Sequence, residues 1–382
     1  MSFDPSLIFP VPNNSEIIPL AIFGSVWLIR MVHILFFHGR LAFRKPVPAG
    51  SASESFTLLM AIRNGYEEMK ERLPRWLTLP YPHYEVLVVD DFSEDYTPMM
   101  LGMLRNEYKH LKITTLNQKT RHSEKMARNL GMKAASNDWV IMVSPITDPP
   151  DPLWLPTISS AISRGKGMVV GYSNLYPQEG YRHAIVRSET FFQNIESMAY
   201  CLNRMPFVVS EENVAFNKAD YFKAGGFAGQ LGEMFLNMEV ILNKTIQHNK
   251  VEVLPVASLT LRRRSEAEPG AINELYRRYY NLGKYLPLLT RVYMTLSRFT
   301  YMLLIPLFAI LLFWIPALYI YPGLMLLVMA LIYTLIISRL QRRLGEQKLF
   351  VTSLLYSLGS PYLKAMARWQ FFAQRVNRKW RK

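Results

Sequence analysis

From Phe299 to Ser338 the chain runs for about 40 residues without a charged side chain. One bilayer crossing needs about 20 apolar residues, so this stretch is too long for a core helix and matches two crossings. Pro316, Pro322 and Gly323 fall near its middle, where a tight hairpin would turn. Two spans are expected, Phe299 to Ile315 and Leu318 to Ile337. Ile17 to Phe37 is a third candidate, apolar apart from Arg30 and His33. Its rival reading is a helix lying in the membrane interface. A secretory signal does not fit, because Asp4 and Glu16 precede the segment where Lys or Arg would be needed. Arg30 inside a span must snorkel or meet a partner. Basic residues follow the first span (Arg40, Arg44, Lys45), precede the second (Arg291, Arg298) and follow the third (Arg339, Arg342, Arg343). By the positive-inside rule those ends face the cytoplasm and the N-terminus lies outside.

Half of the residues are hydrophobic and the net charge is +15. A basic chain suits nucleic acid as well as a membrane surface. The apolar content, and the placing of cations beside spans, favour a membrane protein that binds no nucleic acid. Cys201 is the only cysteine, which excludes an intramolecular disulfide and makes a cysteine metal site untenable.

The middle of the chain reads differently. Phe56 to Ile62 is an apolar strand candidate ending in Arg63, Asn64 and Gly65; a helical stretch follows to about Leu79. Val86 to Val89 is a second buried strand, running into Asp90 and Asp91 and then Ser93, Asp95 and Thr97. Carboxylates at the C-terminal end of a strand lie where open α/β sheets bind ligands, and the hydroxyls suit turns and helix caps. Met99 to Tyr108 reads as a helix and Leu111 to Leu116 as a third strand. Lys119 to Ala135 carries Lys119, Arg121, His122, Lys125 and Arg128. Its later half is periodic, with Met126, Leu130, Met132 and Ala135 able to face a core. The opposite side offers cations, either as a solvated face or as a diphosphate site. Trp139 to Val143 is a fourth strand, and Gly165 to Gly171 a turn into a fifth. Arg182 to Arg204 and Glu233 to Gln247 read as helices, and Val251 to Val256 as a strand.

The order of these pieces resembles the family 2 glycosyltransferases, which share a nucleotide-diphospho-sugar-binding fold called GT-A. The matching residues are Arg63 and Asn64 after the first strand, Asp90 to Thr97 after the second, and Lys125 to Gly131. Ala134 to Trp139, Glu212 to Lys218 and Gly225-Gly226-Phe227 follow in register. The resemblance covers roughly residues 56 to 290. It implies an α/β fold with a mixed, mostly parallel sheet and flanking helices, a nucleoside-diphosphate sugar donor, and a lipid or glycan acceptor at the membrane. It assigns Arg63, Asn64, Asp90, Asp91, Lys125 and Arg128 to the nucleotide. Asn213, Gly225, Gly226 and Arg278 fall to the acceptor side.

Three positions depart from the family. The strand ending at Val143 should run into Asp-x-Asp, whose carboxylate holds a divalent cation against the diphosphate. Here Ser144, Pro145 and Ile146 stand in its place, leaving Asp148 as stand-in ligand for manganese or magnesium and Asp151 as a weaker one. The general base expected in a Glu-Asp pair has become Glu233-Met234, so Glu233 is the candidate base, with Glu239 nearby. The Gln-x-x-Arg-Trp of processive members is reduced to Arg277-Arg278-Tyr279. Two functions follow: a transferase with relocated carboxylates, or an inactive GT-A scaffold or regulatory subunit with partners in a membrane complex. Transfer without metal is a further option, with Lys125, Arg128 and the Arg262-Arg263-Arg264 run supplying charge. A solvated or lipid-facing basic patch is the plainer reading of that run.

Ala271 to Arg298 mixes Tyr276, Tyr279, Tyr280, Tyr285 and Tyr293 with cations, as an interfacial helix would. Leu349 to Leu363, interrupted by Gly359, Ser360 and Pro361, reads as re-entrant or surface-lying. Lys364 to Lys382 alternates Trp369, Phe371, Phe372 and Trp380 with cations and suits anionic lipid or a protein partner. The domains expected are a first span with flanks (residues 1–45), a GT-A-like unit (46–290), and a hairpin with a basic amphipathic tail (291–382). The expected location is a bacterial inner membrane, with the α/β unit and C-terminus cytoplasmic.

Overall fold

The β-branched runs form strands in a computed structural model that describes residues 12–50, 53–118, 123–233, 236–246, 250–264, 268–346 and 349–380. In chain order these are β1 (Phe56–Ile62), β2 (Tyr84–Asp90), β3 (Leu111–Thr115), β4 (Trp139–Met142), β5 (Thr147–Asp148), β6 (Met168–Gly171), β7 (Ser173–Leu175), β8 (Val214–Asn217), β9 (Val251–Leu254) and β10 (Leu261–Arg263). Seven of them make one sheet in the order β3-β2-β1-β4-β8-β6-β9, and β5-β10-β7 make a small second one. β1 to β4 are parallel, with Ile62 beside Asp90 and Leu59 beside Met142, while β8 runs antiparallel to both of its neighbours. The chain leaves β1 outward through β2 and β3, then returns to β4 on the other side. That reversal places a crevice beyond the C-terminal ends of β1 and β4, the usual ligand position in such sheets.

Nine helices carry labels below: α1 (Asn14–Ala42), α2 (Arg72–Leu77), α3 (Ser123–Ala134), α4 (Trp154–Ser163), α5 (Tyr181–Leu202), α6 (Ala271–Leu282), α7 (Leu288–Trp314), α8 (Pro316–Leu344) and α9 (Phe350–Trp380). Alternate residues of the sheet bury on opposite faces, as a covered parallel sheet requires. Leu58, Met60, Val86 and Val88 pack with Trp76 of α2 and Trp154 of α4. Leu59, Leu87 and Val89 pack with α3 and α5, in a core that continues into Ile34, Phe37 and Leu41 of α1 and Ile337, Leu340 and Leu344 of α8. Gly131 lets α3 settle onto the sheet: a Cβ there would come within 2.4 Å of the Leu59 side chain.

α1, α7 and α8 are each long and apolar enough to cross a membrane. They hold one another through Phe23, Leu304, Leu311 and Leu318, and Trp27 Nε1 donates to the Met325 carbonyl at 2.7 Å. Outward they expose Ile18, Val32, Phe36, Phe299, Phe313, Leu331 and Leu335, an apolar belt suited to lipid. Their basic ends meet the α/β unit. Arg339 and Arg343 of α8 donate to the carbonyls of Leu41 and Ala42 at the end of α1.

Glu346, just beyond α8, makes the tightest junction. Gly345 ends the helix at φ 68, a left-handed cap that suits glycine, and turns Glu346 into the α/β unit with its side chain fully buried. The carboxylate pairs with Arg187 of α5 at 2.6 Å and with Arg262 of β10. Tyr172 Oη and Asn174 Nδ2 donate to it at 2.7 and 3.0 Å.

Several expectations need correcting. Met126 points outward, and Ala127 and Lys125 take the buried positions on α3, because the helix is rotated by its close approach at Gly131. The helix expected from Glu233 begins only at Glu239 and ends at Thr245. Tyr276 and Tyr279 are buried in place of settling at headgroups: Tyr276 bonds Tyr356 of α9 at 2.6 Å, and Tyr279 donates to Glu196 of α5 at 2.7 Å. α9 is one continuous helix through Gly359, Ser360 and Pro361. Lys119, Arg121 and His122 lie outside the described residues, as do the side chains of Phe372 and Trp380.

Glu346→Gln removes the charge that two buried guanidinium groups share and turns an amide N–H2 toward donors. We expect it to cost about 3–5 kcal/mol, read as a large drop in the melting temperature of the detergent-solubilised chain. A melting curve matching the wild type would show that this junction does not hold the two parts together.

Candidate active site

The loops after β1 and β2 are stitched to one another by short polar side chains. Asn64 sits at φ 49, a left-handed position that asparagine tolerates. Its N–H donates to Ser93 Oγ at 2.8 Å, and its Oδ1 accepts from Glu94 N at 2.8 Å. Thr97 Oγ1 accepts from Gly65 N at 3.0 Å, and Asp95 Oδ2 from Tyr66 N at 3.1 Å. Asp90 is spent inside this loop, accepting from Ser93 N at 3.1 Å. Asp91 is different. Its N–H donates to the Ile62 carbonyl at 2.8 Å, the residue is 6% exposed, and its buried Oδ1 has no hydrogen-bond partner among the described residues. A buried acceptor is expensive to leave unmet, so it marks a place for an N–H or O–H donor. Arg63, the first residue after β1, is half-buried and has no ion pair among the described residues.

The cations of α3 have internal partners. Lys125 is buried and donates to the carbonyls of Gln230, at 2.8 Å, and Glu233. Burial pulls its pKa below the ordinary lysine value, against the pull of Glu233 and Glu124. Arg128 grips Glu211 from Nε at 3.0 and 3.1 Å and reaches Glu124 at 2.9 Å. Burial opposes the Arg128 charge, and Glu211 and Glu124 outweigh it, so its pKa stands above the ordinary value. Glu211 in turn is raised by burial and lowered further by Arg128, so it ends below the carboxylate range. Arg278 pairs with buried Glu239, which holds its pKa up. Glu233 Oε2 accepts from Tyr285 Oη at 3.1 Å. Glu211 is the residue that sequence reasoning passed over. Its only signal was a second carboxylate beside Glu212, and nothing in the spacing names Arg128 as partner.

Asn213 is a staple within the fold. Its Nδ2 donates to the carbonyls of Tyr172 and Leu259 at 2.8 and 3.0 Å, and its Oδ1 accepts from Trp154 Nε1 at 2.9 Å. Gly225 and Gly226, at φ 83 and 54, form a turn against Tyr221. These three shape backbone and leave no side-chain group for an acceptor.

Asp148 lies beyond β4, which neighbours β1, so it borders the crevice. Arg264 Nε approaches at 3.2 Å, Arg75 at 3.3 Å and Arg72 at 3.7 Å, while Tyr176 Oη donates at 3.2 Å. Three guanidinium groups around one carboxylate repel a divalent cation. Among the described residues no three of His, Cys, Asp and Glu come together as a metal-binding group. The residues present therefore do not fit manganese or magnesium at Asp148, contrary to the expectation from sequence. Arg262 and Arg263 of the arginine run are partly buried, and Arg264, though half-exposed, is also paired. Arg262 pairs with Glu346, Arg263 with Glu212 at 3.4 Å, and Arg264 with Asp148.

Residues 57–209 match the family model described as "Glycosyl transferase family 2". No curated protein matches the chain. Among solved structures, S. aureus TarS 1-349 in complex with UDP is similar at 16% identity, with a TM-score of 0.44 over 64% of this chain and 70% of that one. The chain spans 42% of the longer TarS structure. The mannosyltransferase PcManGT from Pyrobaculum calidifontis, in complex with GDP-Man and Mn2+, is similar at 15% identity, with a TM-score of 0.49 over 90% of this chain and 97% of that one. The weight rests on the family model and on the sheet order, and by these the α/β unit resembles the family 2 glycosyltransferases, with a GT-A-like fold joined to three helices long enough to span a membrane.

Proposed function

We propose that this chain is a membrane-bound protein of the family 2 glycosyltransferase type. It binds a nucleoside-diphosphate sugar in the crevice beyond β1 and β4 and transfers the sugar to a lipid or glycan acceptor. The observation that carries this reading is Asp91: a buried carboxylate oxygen without a donor among the described residues, on the loop whose backbone bonds to Ile62, the residue before Arg63. A nucleobase N–H suits the first group and a diphosphate the second. The half-exposed guanidinium groups of Arg75 and Arg264, held by Asp148, offer the charge a divalent cation would otherwise supply. In this reading Asp148 positions cations and Glu233, oriented by Tyr285, takes the acceptor proton. The basic ends of all three spans turn toward the α/β unit, which supports a cytoplasmic location on a bacterial inner membrane.

Thermal melting of the detergent-solubilised chain tests donor binding. A uridine or guanosine diphosphate sugar should raise the melting temperature in EDTA as well as with manganese. Asp91→Ala should weaken that response at least tenfold, about 1.4 kcal/mol. If no sugar nucleotide shifts the transition in either condition, donor binding is refuted; if only manganese permits a shift, the arginine-based reading falls. Arg128→Met should lower the melting temperature equally with and without nucleotide, since it strands Glu211. A loss confined to the nucleotide-bound form would return Arg128 to the diphosphate.

The internal pairing of Asp148, Arg128 and Glu233 also favours a second reading, an inactive scaffold or regulatory subunit of a membrane complex. It predicts stable co-purification with another protein and unchanged cellular function in Asp148→Ala and Glu233→Ala. Loss of function in either folded variant would point to chemistry.

A further inference from the structure

A cavity of about 270 Å³ lies where α1, α7, α8 and α9 meet α5 and α6. Since a water molecule occupies about 30 Å³ of liquid, there is room for a phosphoryl group and the first atoms of its ester. Its walls are unusual for a site among apolar helices. Arg30, 8% exposed, donates from Nη1 to Ser297 Oγ at 3.2 Å and stacks 4.4 Å over the Tyr301 ring. Arg298 stacks 4.5 Å over Tyr279. Nε of each has no hydrogen-bond partner among the described residues, and neither has Nδ1 of His38, a residue 7% exposed.

The backbone brings the histidine there. α1 is α-helical to His33 and then forms a π turn from Ile34 to Gly39. The i→i+5 pattern of a π turn carries residues five apart to the same side, and such turns gather at functional sites. His33 and His38 consequently lie with ring centroids 5.2 Å apart, and both line the cavity.

Charge is out of balance on these walls. Arg30, Arg298, Lys364 and Arg368 line the cavity, against one carboxylate, Glu196, which accepts from Tyr279 Oη at 2.7 Å. Lys364 has its own partner in Glu189 at 2.8 Å. Guanidinium groups out of water need an anion, because the desolvation of an unmet charge costs several kcal/mol. Phe299, Met302, Pro361 and Ala365 are among its apolar lining. Phe299 is exposed and opens the uncharged stretch of α7 immediately after Arg298. The cavity therefore sits at the level where the cytoplasmic basic flank meets lipid, where basic pockets between spans take headgroups.

We propose that this cavity binds the phosphoryl headgroup of a membrane lipid, with Arg30 and Arg298 as its charge partners, His38 as a hydrogen-bonding group, and the acyl chains leaving past Phe299. The proposal does not depend on sugar transfer and holds for an enzyme or a scaffold alike.

The test is thermal melting of the detergent-solubilised full chain, titrated with dioctanoyl phosphatidate, dioctanoylglycerol or sodium phosphate. Phosphatidate should raise the melting temperature saturably, and the other two should not match it at equal concentration. Equal shifts from dioctanoylglycerol, or no shift from phosphatidate, overturn the proposal. An equal shift from sodium phosphate assigns the cavity to a small soluble anion and overturns the lipid source. Arg298→Gln should raise the half-saturating phosphatidate concentration at least tenfold, and an unchanged value overturns the assignment of its charge partner. The comparison of ligands needs no variant. Should Arg298→Gln fail to fold, Arg368→Gln on the exposed rim should weaken phosphatidate at least threefold, and an unchanged response there counts against the site.

Discussion

The buried carboxylate of Glu346 is the point on which both halves of the molecule depend. It lies two residues past the end of α8, yet its partners come from α5, from β10, from β7 and from the β6–β7 connection. A lone buried charge would be intolerable, and two guanidinium groups would be equally so without it. Charge, phenol and amide satisfy one another only when helix end, strand and α5 are all in place. The apolar core spreads across the same boundary, from Val89 of the sheet to Leu340 and Leu344 of α8. Burial alone is non-directional and would permit sliding. The ionic cluster supplies the direction.

The same economy governs the crevice. Nearly every ionised group bordering it has an opposite charge at contact distance: Arg128 with Glu211, Arg278 with Glu239, Arg263 with Glu212, and Asp148 with its arginines. Glu212 shows the cost of this arrangement: burial pushes its pKa up, and Arg263 at 3.4 Å only partly relieves it. Among the described residues Asp90, Asp91 and Arg63 have no opposite charge, and Asp91 Oδ1 has no donor either, so the donor reading rests on that end of β1 and β2. A carboxylate already engaged by guanidinium groups, as Asp148 is, has little affinity for a hard cation.

Most of the large sheet was legible in the sequence because buried parallel strands must be apolar on both faces, and the runs at Phe56, Val86 and Trp139 say so without help from neighbours. The short strands β5, β7, β8 and β10 carry no such run and were not legible. The three spans were legible for the same reason of length and apolarity. Side-chain roles were not. Lys125, Arg128 and Arg262 look identical to free cations until tertiary structure supplies Glu233, Glu211 and Glu346 from distant parts of the chain. Tyr276 and Tyr279 have the composition of an interfacial helix, but packing of α6 between α5 and α9 buries them. Gly359 and Pro361 read as a break, yet α9 accommodates both. Local chemistry identifies what a residue can do; only the assembled fold decides which partner it meets.

Three consecutive arginines, two on β10 and one just beyond it, carry a consequence for register. Leu261, fully buried, fixes one face of β10, but the identical side chains of Arg262, Arg263 and Arg264 do not by themselves say which acid each should meet. The carboxylates choose for it: Glu346 behind, Glu212 within and Asp148 ahead accept Arg262, Arg263 and Arg264 in turn. A slip of one residue would reverse which face each side chain occupies and leave every one of the three acids misaligned at once. The three arginines thus work like a key with three equal teeth, read by a lock whose wards lie just past a membrane-helix end, beside the middle of the large sheet and in β5.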